Sequence, residues 1–144
     1  MTTFVRDLLD MKGRSVITAQ PSQTIGQVAN ILHEHGIGGV IVSDNGSTIL
    51  GIFTERDFVH AVGQHGASVL TKPVSDLMTK SVKSCREDST TDQLMELMTG
   101  GRFRHVPVED NGKLVGIISI GDVVKARIRE VESEAEQIKA YIAG

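Results

Sequence analysis

One half of this sequence is an approximate copy of the other, and that constrains the fold more than any single residue does. Thr24-Ile-Gly-Gln27 is echoed 66 positions later by Thr90-Thr-Asp-Gln93, and Asp44-Asn-Gly46 by Asp110-Asn-Gly112 at the same interval. Gly51-Ile-Phe-Thr-Glu-Arg-Asp57 returns as Gly116-Ile-Ile-Ser-Ile-Gly-Asp122. Val5-Arg-Asp-Leu-Leu9 opens the first copy and Val74-Ser-Asp-Leu-Met78 the second. A unit of about 55 residues is marginal alone, so two such units in a chain of 144 residues are expected to pack on each other.

Each copy carries the same succession of signals. The opening reads as a short helical piece, followed by an apolar start at Val16 or Val82. Ile25, Val28, Ala29 and Leu32, and then Leu94, Met95 and Met98, recur at helical spacing behind Thr-x-x-Gln capping boxes. The first helix is expected to stop at Gly36 and the second at Gly100-Gly101. Val40-Ile-Val42 with Ile49 to Phe53, and Val106-Pro-Val108 with Leu114 to Ile118, flank Asn-Gly turn signals and read as hairpins. Each second strand runs into a further helix. The expected class is α+β, with two β-α-β-β-α repeats at 3–62 and 74–127, a linker at 63–73 rich in turn residues, and a helical extension at 128–144.

Charge and composition exclude several functions. With 15 basic and 18 acidic residues the formal charge is −3, so no net positive field is present to hold nucleic acid. Four Phe, one Tyr and no Trp leave little for stacking bases. No apolar stretch approaches the ~20 residues that span a bilayer, and no basic-then-apolar leader opens the chain. The lone Cys85 forms no internal disulfide and suits a reduced, cytoplasmic setting. His33 and His35 point to different helix faces and His60 and His65 lie in or near the linker, which is poor metal-ligand geometry. Cys85 has no histidine signature that would activate it as a nucleophile.

Together and in order, the Val-x-Asp-Leu-Met opening, the Arg104-His-Val-Pro-Val108 strand and the Gly-apolar-x-Thr/Ser-x-x-Asp junction of both copies resemble tandem cystathionine-β-synthase (CBS) domains. The resemblance covers roughly residues 3 to 127. It implies a pseudo-twofold pair of repeats whose clefts bind adenosine-containing ligands, in a stand-alone, bacterial-type protein that regulates and does not catalyse. It also implies a flat homodimer.

Thr54-x-x-Asp57 and Ser119-x-x-Asp122 are the sharpest site candidates. A short carboxylate at a strand-to-helix turn accepts from both hydroxyls of a ribose, and the neighbouring hydroxyl donates to a phosphate. The same pattern is close to a capping box, in which the carboxylate bonds the helix start, and both readings stand at this point. Phosphate needs cations, for which Arg104, His105 and Arg56 are the candidates, Arg102 less so. Arg104 and His105 take that role from the resemblance, and Gly38-Gly39 occupy their place in the first copy, so the two clefts are expected to differ. The resemblance puts adenine against Ser15-Val16 and Lys80-Ser81-Val82, near Ile37 or Phe103; core packing would use these apolar residues equally well. Lys83 is a weaker addition.

Val124, Ile128, Val131, Ala135, Ile138 and Ile142 recur at spacings of four and three, a narrow stripe of coiled-coil type that a second subunit would complete. A helix covering its own domain is the alternative. The leading expectation is a non-enzymatic sensor of AMP, ADP or ATP acting on another protein. NAD(H) or S-adenosylmethionine as ligand, or a ligand-free dimerisation module, are the alternatives. An enzyme acting on a nucleotide lacks a recognisable acid–base pair.

Overall fold

The opening segment of each repeat is built into the other repeat. In the computed structural model, which describes residues 2–143, Val5 N donates to Ser89 O, Arg6 N to Glu87 O and Thr91 N to Thr3 O, at 2.8–3.0 Å. The second opening repeats these bonds on the first repeat: Val74 N donates to Gln23 O, Ser75 N to Pro21 O and Ile25 N to Lys72 O, at 2.8–3.2 Å. Two compact units result, and they do not follow the repeat order. One gathers Ser15–Lys83 with Glu109–Val115, and the other gathers the chain through Arg14, Ser84–Val108 and the chain from Gly116 onward.

In the first of these units β1 (Thr18–Ala19) lies parallel to β2 (Gly39–Val42), which lies antiparallel to β3 (Gly51–Thr54). Between them run α2 (Ile25–His35) and, after β3, α3 (Glu55–His65). Ile25, Val28 and Leu32 of α2 close on Val40, Val42 and Phe53, with Val69 and Val74 from two short 3-10 turns completing this core. The second unit holds α1 (Val5–Lys12), α4 (Thr91–Gly101), the hairpin base of β4 (His105–Asp110) and β5 (Lys113–Ser119), and α5 (Ile120–Ala143). Val5, Leu8, Leu9, Cys85, Leu94, Met98, Val106, Val108, Ile118, Val123 and Ala126 are among its buried apolar residues. The mixed α/β succession of the repeats is the expected one.

Helix starts are local and came out as read. Thr24 Oγ1 accepts from Gln27 N while Gln27 Oε1 accepts from Thr24 N, and Thr90 and Gln93 do the same, so both boxes are closed. Four details differ from the sequence reading. The first strand begins at Thr18, beyond Val16, because only there does β2 offer a partner, and around Val82 no strand forms; a single bridge, Cys85 to Val108, stands in its place. Gly36 ends α2 in the left-handed conformation, φ 60°, but α4 runs through Gly100-Gly101 and Arg102 takes that conformation at φ 57°. Gly101 instead admits the Phe103 ring, which a Cβ there would meet at 1.9 Å. The second Asn-Gly is the expected two-residue turn, whereas residues 43–50 form a longer loop held by Asn45 Oδ1, which accepts from Ser47 N and Thr48 N. The C-terminal extension is continuous with the last helix of the second repeat; Gly144, its expected last residue, lies outside the described residues.

Close packing of the exchanged openings depends on two glycines that match in the repeat. A Cβ on Gly116 would lie 2.6 Å from Leu9 Cδ2, and one on Gly51 would lie 2.6 Å from the Met78 sulfur and 2.9 Å from the Thr79 carbonyl oxygen. Leu9 and Met78 end the two matching opening motifs. Leu9 is fully buried, so Leu9→Ala is expected to cost about 2–5 kcal/mol in urea denaturation. The accompanying rise in amide exchange should fall on α4, β4 and α5 and spare α2, although Leu9 precedes α2 in the chain. Gly51→Ala should cost about 1–3 kcal/mol. It should exceed Gly116→Ala, because a backbone oxygen is a harder obstacle than a leucine methyl.

Candidate functional site

Both candidate carboxylates sit where a strand turns into a helix, and both close a capping box. At the β3–α3 junction Asp57 Oδ2 accepts from Thr54 N at 2.9 Å and from Thr54 Oγ1 at 3.1 Å, while Asp57 N donates to Thr54 Oγ1 at 3.2 Å. At the β5–α5 junction Asp122 Oδ2 accepts from Ser119 N at 2.8 Å and from Ser119 Oγ at 3.0 Å, with Asp122 N returning a bond to Ser119 Oγ at 3.3 Å. The preceding backbone is matched too: Glu55 N donates to Gly38 O, and Ile120 N to Arg104 O. Gly38 and Arg104 therefore hold equivalent places.

In each copy the cap uses one carboxylate oxygen, Oδ2. All four residues of these boxes are half-buried.

The two junctions differ in what else reaches the carboxylate. Thr79 pairs with Ile52 through two backbone bonds of 2.9 Å, and its Oγ1 donates to Asp57 Oδ1 at 3.2 Å. Lys12, from the end of α1, donates to Ile117 O at 2.8 Å and to Asp122 Oδ2 at 2.6 Å. Ile52 and Ile117 are equivalent in the repeat, so each exchanged opening touches the same strand residue and then the same carboxylate. One brings a neutral hydroxyl and the other an ammonium group. Burial alone pushes the Asp122 carboxyl up. Hydrogen bonds from Lys12 and the Ser119 backbone, with the Lys12 charge, outweigh it and hold the group below its ordinary value.

Neither Lys12 nor Thr79 was legible as a site residue. Lys12 lies one turn beyond Leu9 and Thr79 directly after Met78, but the exchange that delivers them joins residues 110 and 22 positions from their carboxylates.

The remaining candidates divide between the units. Ser15, Val16 and Ile37 belong to the unit of Asp57, Ser15 exposed and the other two half-buried, with Ile37 packed against that unit's core. Arg56 is exposed in the first turn of α3. Lys80 and Ser81 are exposed and Val82 half-buried in an irregular stretch after Thr79, and these three belong to the unit of Asp57, not to that of Asp122. Phe103, Arg104 and His105 belong to the unit of Asp122, Arg104 exposed and the others half-buried. That unit thus holds Lys12 on its carboxylate and Arg104 one backbone bond from its junction, where the other has Gly38-Gly39.

A family model described as CBS domain matches this chain twice, over residues 5–64 and 74–129. The crystal structure of a CBS-domain containing protein from Agrobacterium tumefaciens is 64% identical in sequence, covers 87% of this chain and 99% of its own, and superposes with a TM-score of 0.84. A CBS domain pair solved in complex with 5′-methylthioadenosine and S-adenosyl-L-methionine is 27% identical over 90% of this chain and 99% of its own, TM-score 0.80. A third structure, the protein CBSX2 in complex with AMP, is 26% identical over 88% of this chain and 96% of its own, TM-score 0.71.

The Lys12–Asp122 pair gives the second junction a pH signature. With its native pKa lowered, Asp122 adds stability that is fully present above the unfolded value near 3.8 and is lost as pH falls through the lower native one. Glu130 is shifted the same way by Thr3 and Arg127, against its burial, so the wild-type acid loss contains both. Lys12→Met is expected to lower neutral-pH stability by about 1 kcal/mol or less, since both side chains keep some exposure. The difference from wild type should narrow as pH falls below about 3.8, as read from urea denaturation between neutral pH and about pH 2.

Proposed function

The chain belongs to the CBS-domain family, with two copies of the domain making up most of its length, and from that premise we propose that it is a non-enzymatic regulatory module that binds adenosine-type ligands at its two strand–helix junctions. The observation that carries this reading is the division of labour within each carboxylate. The fold's own bonds at the cap fall on Oδ2, so Oδ1, which in Asp57 also accepts from the Thr79 hydroxyl, is the oxygen left to accept from a ribose diol. The ligands named for the two related complexes share adenosine and differ beyond the ribose, which fits recognition through that diol.

The unequal cations sort the two junctions. Lys12, Arg104 and His105 favour a phosphate-bearing ligand, AMP, ADP or ATP, at Asp122. The glycine-lined junction of Asp57, with Thr79 and the exposed Arg56, is more tolerant of an uncharged or thioether nucleoside. NAD(H) and S-adenosylmethionine fall within the same chemistry. Ser15, Val16 and Ile37, and Lys80, Ser81, Val82 and Phe103, are the residues proposed to contact adenine, and no cofactor is required. Regulation of a partner protein follows only if ligand binds the two states of the module unequally. The chain is read as a cytoplasmic homodimer; none of its described helices is long and apolar enough to cross a membrane.

The complete capping boxes favour one rival, a ligand-free module in which Asp57 and Asp122 serve the helices alone. The test is calorimetric titration of chain freed of copurified ligand with AMP, ADP, ATP, 5′-methylthioadenosine, S-adenosylmethionine, NAD and 2′-deoxy-AMP. Adenosine compounds are expected to bind, and 2′-deoxy-AMP more weakly. Asp57→Asn and Asp122→Asn should each weaken one site by about 10–100-fold, the size of a hydrogen bond to a charged acceptor. Variants that lose only about 1 kcal/mol of stability and leave affinity unchanged would establish the structural module. Turnover of bound nucleotide would establish an enzyme.

A further inference from the structure

The last helix of the chain presents an apolar face that no part of the described chain covers. Helix α5 has 24 residues, and Val123, Ala126 and Glu130 are the ones it buries. Val124, Ile128, Val131, Ile138 and Ile142 are 48–78% exposed, and from residue 131 to 143 every residue but the half-buried Ser133 is exposed. A helical stretch of that length without tertiary support is marginal in water. Something outside the single chain is needed to hold it.

The heptad frame says what. Set on the stripe, position d falls at Val124, Val131 and Ile138 and position a at Ile128, Ala135 and Ile142. The residues packed inward, Val123, Ala126 and Glu130, then fall at c, f and c, on the side of the helix away from the a/d seam. The body of the protein therefore holds α5 by its back and leaves the seam clear, which removes the reading of the stripe as cover for its own domain.

Charge then selects the occupant and its direction. Position g holds Arg127 and Glu134, and position e holds Lys125, Glu132 and Lys139. In a parallel pair of identical helices each g residue meets the e residue five positions on in the other copy. Arg127 would meet Glu132 of the partner subunit, and Glu134 would meet Lys139 of the partner subunit, so four opposite-charge contacts form by symmetry. An antiparallel pair of full overlap would instead set Lys125 against Lys139, Glu132 against Glu132 and Glu134 against Glu134. Among the described residues Glu132, Glu134 and Lys139 have no ion pair within the chain, and Arg127 makes contacts through Nη1 of 3.6 Å to the exposed Asp92 and 3.0 Å to the buried Glu130 that leave other donors of its guanidinium. We propose that α5 is a dimerisation helix that pairs in parallel with α5 of a second copy through Val124, Ile128, Val131, Ala135, Ile138 and Ile142. The proposal gives the homodimer a defined interface and rests on neither junction, so its failure leaves ligand affinities where they were.

The test uses the full chain in sedimentation equilibrium and in disulfide trapping. Wild type is expected to be a dimer. Ile138→Asp, at a site exposed in the single chain, should weaken dimerisation by roughly a hundredfold or more without altering the unfolding midpoint extrapolated to monomer. Glu134→Lys should weaken it several-fold, and Glu134→Lys with Lys139→Glu should restore it. Ala135→Cys sits at one level in both helices of a parallel pair, so mild oxidation should convert it to a covalent dimer, while wild type, whose Cys85 is buried, should not convert. A monomeric wild type, or a dimer indifferent to Ile138→Asp, would overturn the proposal. A dimer in which Val131→Cys and Ala135→Cys each stay reduced alone while Val131→Cys/Ala135→Cys crosslinks would overturn its parallel direction.

Discussion

The contact on which both units depend is the seating of an opening segment on a glycine of the other repeat's last strand. Leu9 on Gly116 and Met78 on Gly51 are the same contact made twice, each backed by the same three backbone hydrogen bonds to the start of a helix. A repeat of this length has too little apolar surface to stand alone. Exchange gives each unit a buried anchor that its own repeat lacks, and makes neither unit complete without residues from both repeats. The glycines are needed because the Leu9 side chain at Gly116, and the Met78 side chain and Thr79 carbonyl at Gly51, approach more closely than a Cβ permits.

The same exchange furnishes the junctions. Once an opening is seated, its next polar group arrives at the strand residue Ile52 or Ile117 and at the neighbouring carboxylate. The second opening continues as extended chain, so Thr79 pairs by backbone and offers only a hydroxyl. The first opening is a full α-helix, which cannot pair that way, and a lysine side chain takes over the carbonyl and the carboxylate together. A difference in local secondary structure between two related segments thus becomes a difference of one positive charge between the groups that reach two matching capping boxes.

What the sequence made legible was whatever is settled within about four residues. Capping boxes at Thr24, Thr54, Thr90 and Ser119 close on partners three positions away, and the Asn111-Gly112 turn needs only its own two residues. The repeat itself, and with it the family, was visible because these local signals recur in order. Arg102 was missed because a left-handed residue is usually a glycine and two glycines stood just before it; the Phe103 ring claims Gly101, which moves the helix end one residue on. Lys12 and Thr79 were missed for a different reason. Their roles come from contacts between segments that the chain keeps apart, and no periodicity within either segment encodes them.

The proposed function gains a mechanism from this coupling. On the proposed reading a ribose diol at Asp122 would take Oδ1 and leave Lys12 on Oδ2, where its ammonium adds positive charge beside the ligand. Lys12 closes α1, and α1 anchors the unit through Leu9, so occupancy of the junction bears on how firmly the opening segment is held. At Asp57 the corresponding oxygen, Oδ1, already accepts from Thr79 Oγ1, so a diol there would compete with an uncharged hydroxyl while Thr79 keeps its two backbone bonds to Ile52. Differential interaction with two states is what a ligand must have in order to regulate. On this reading the two sites would be unequal in kind: a ligand at Asp122 would sit beside a retained ion pair, and one at Asp57 would compete with a hydroxyl for the same oxygen. The charge proposed to sort the ligands is also one that ties α1 to the second junction.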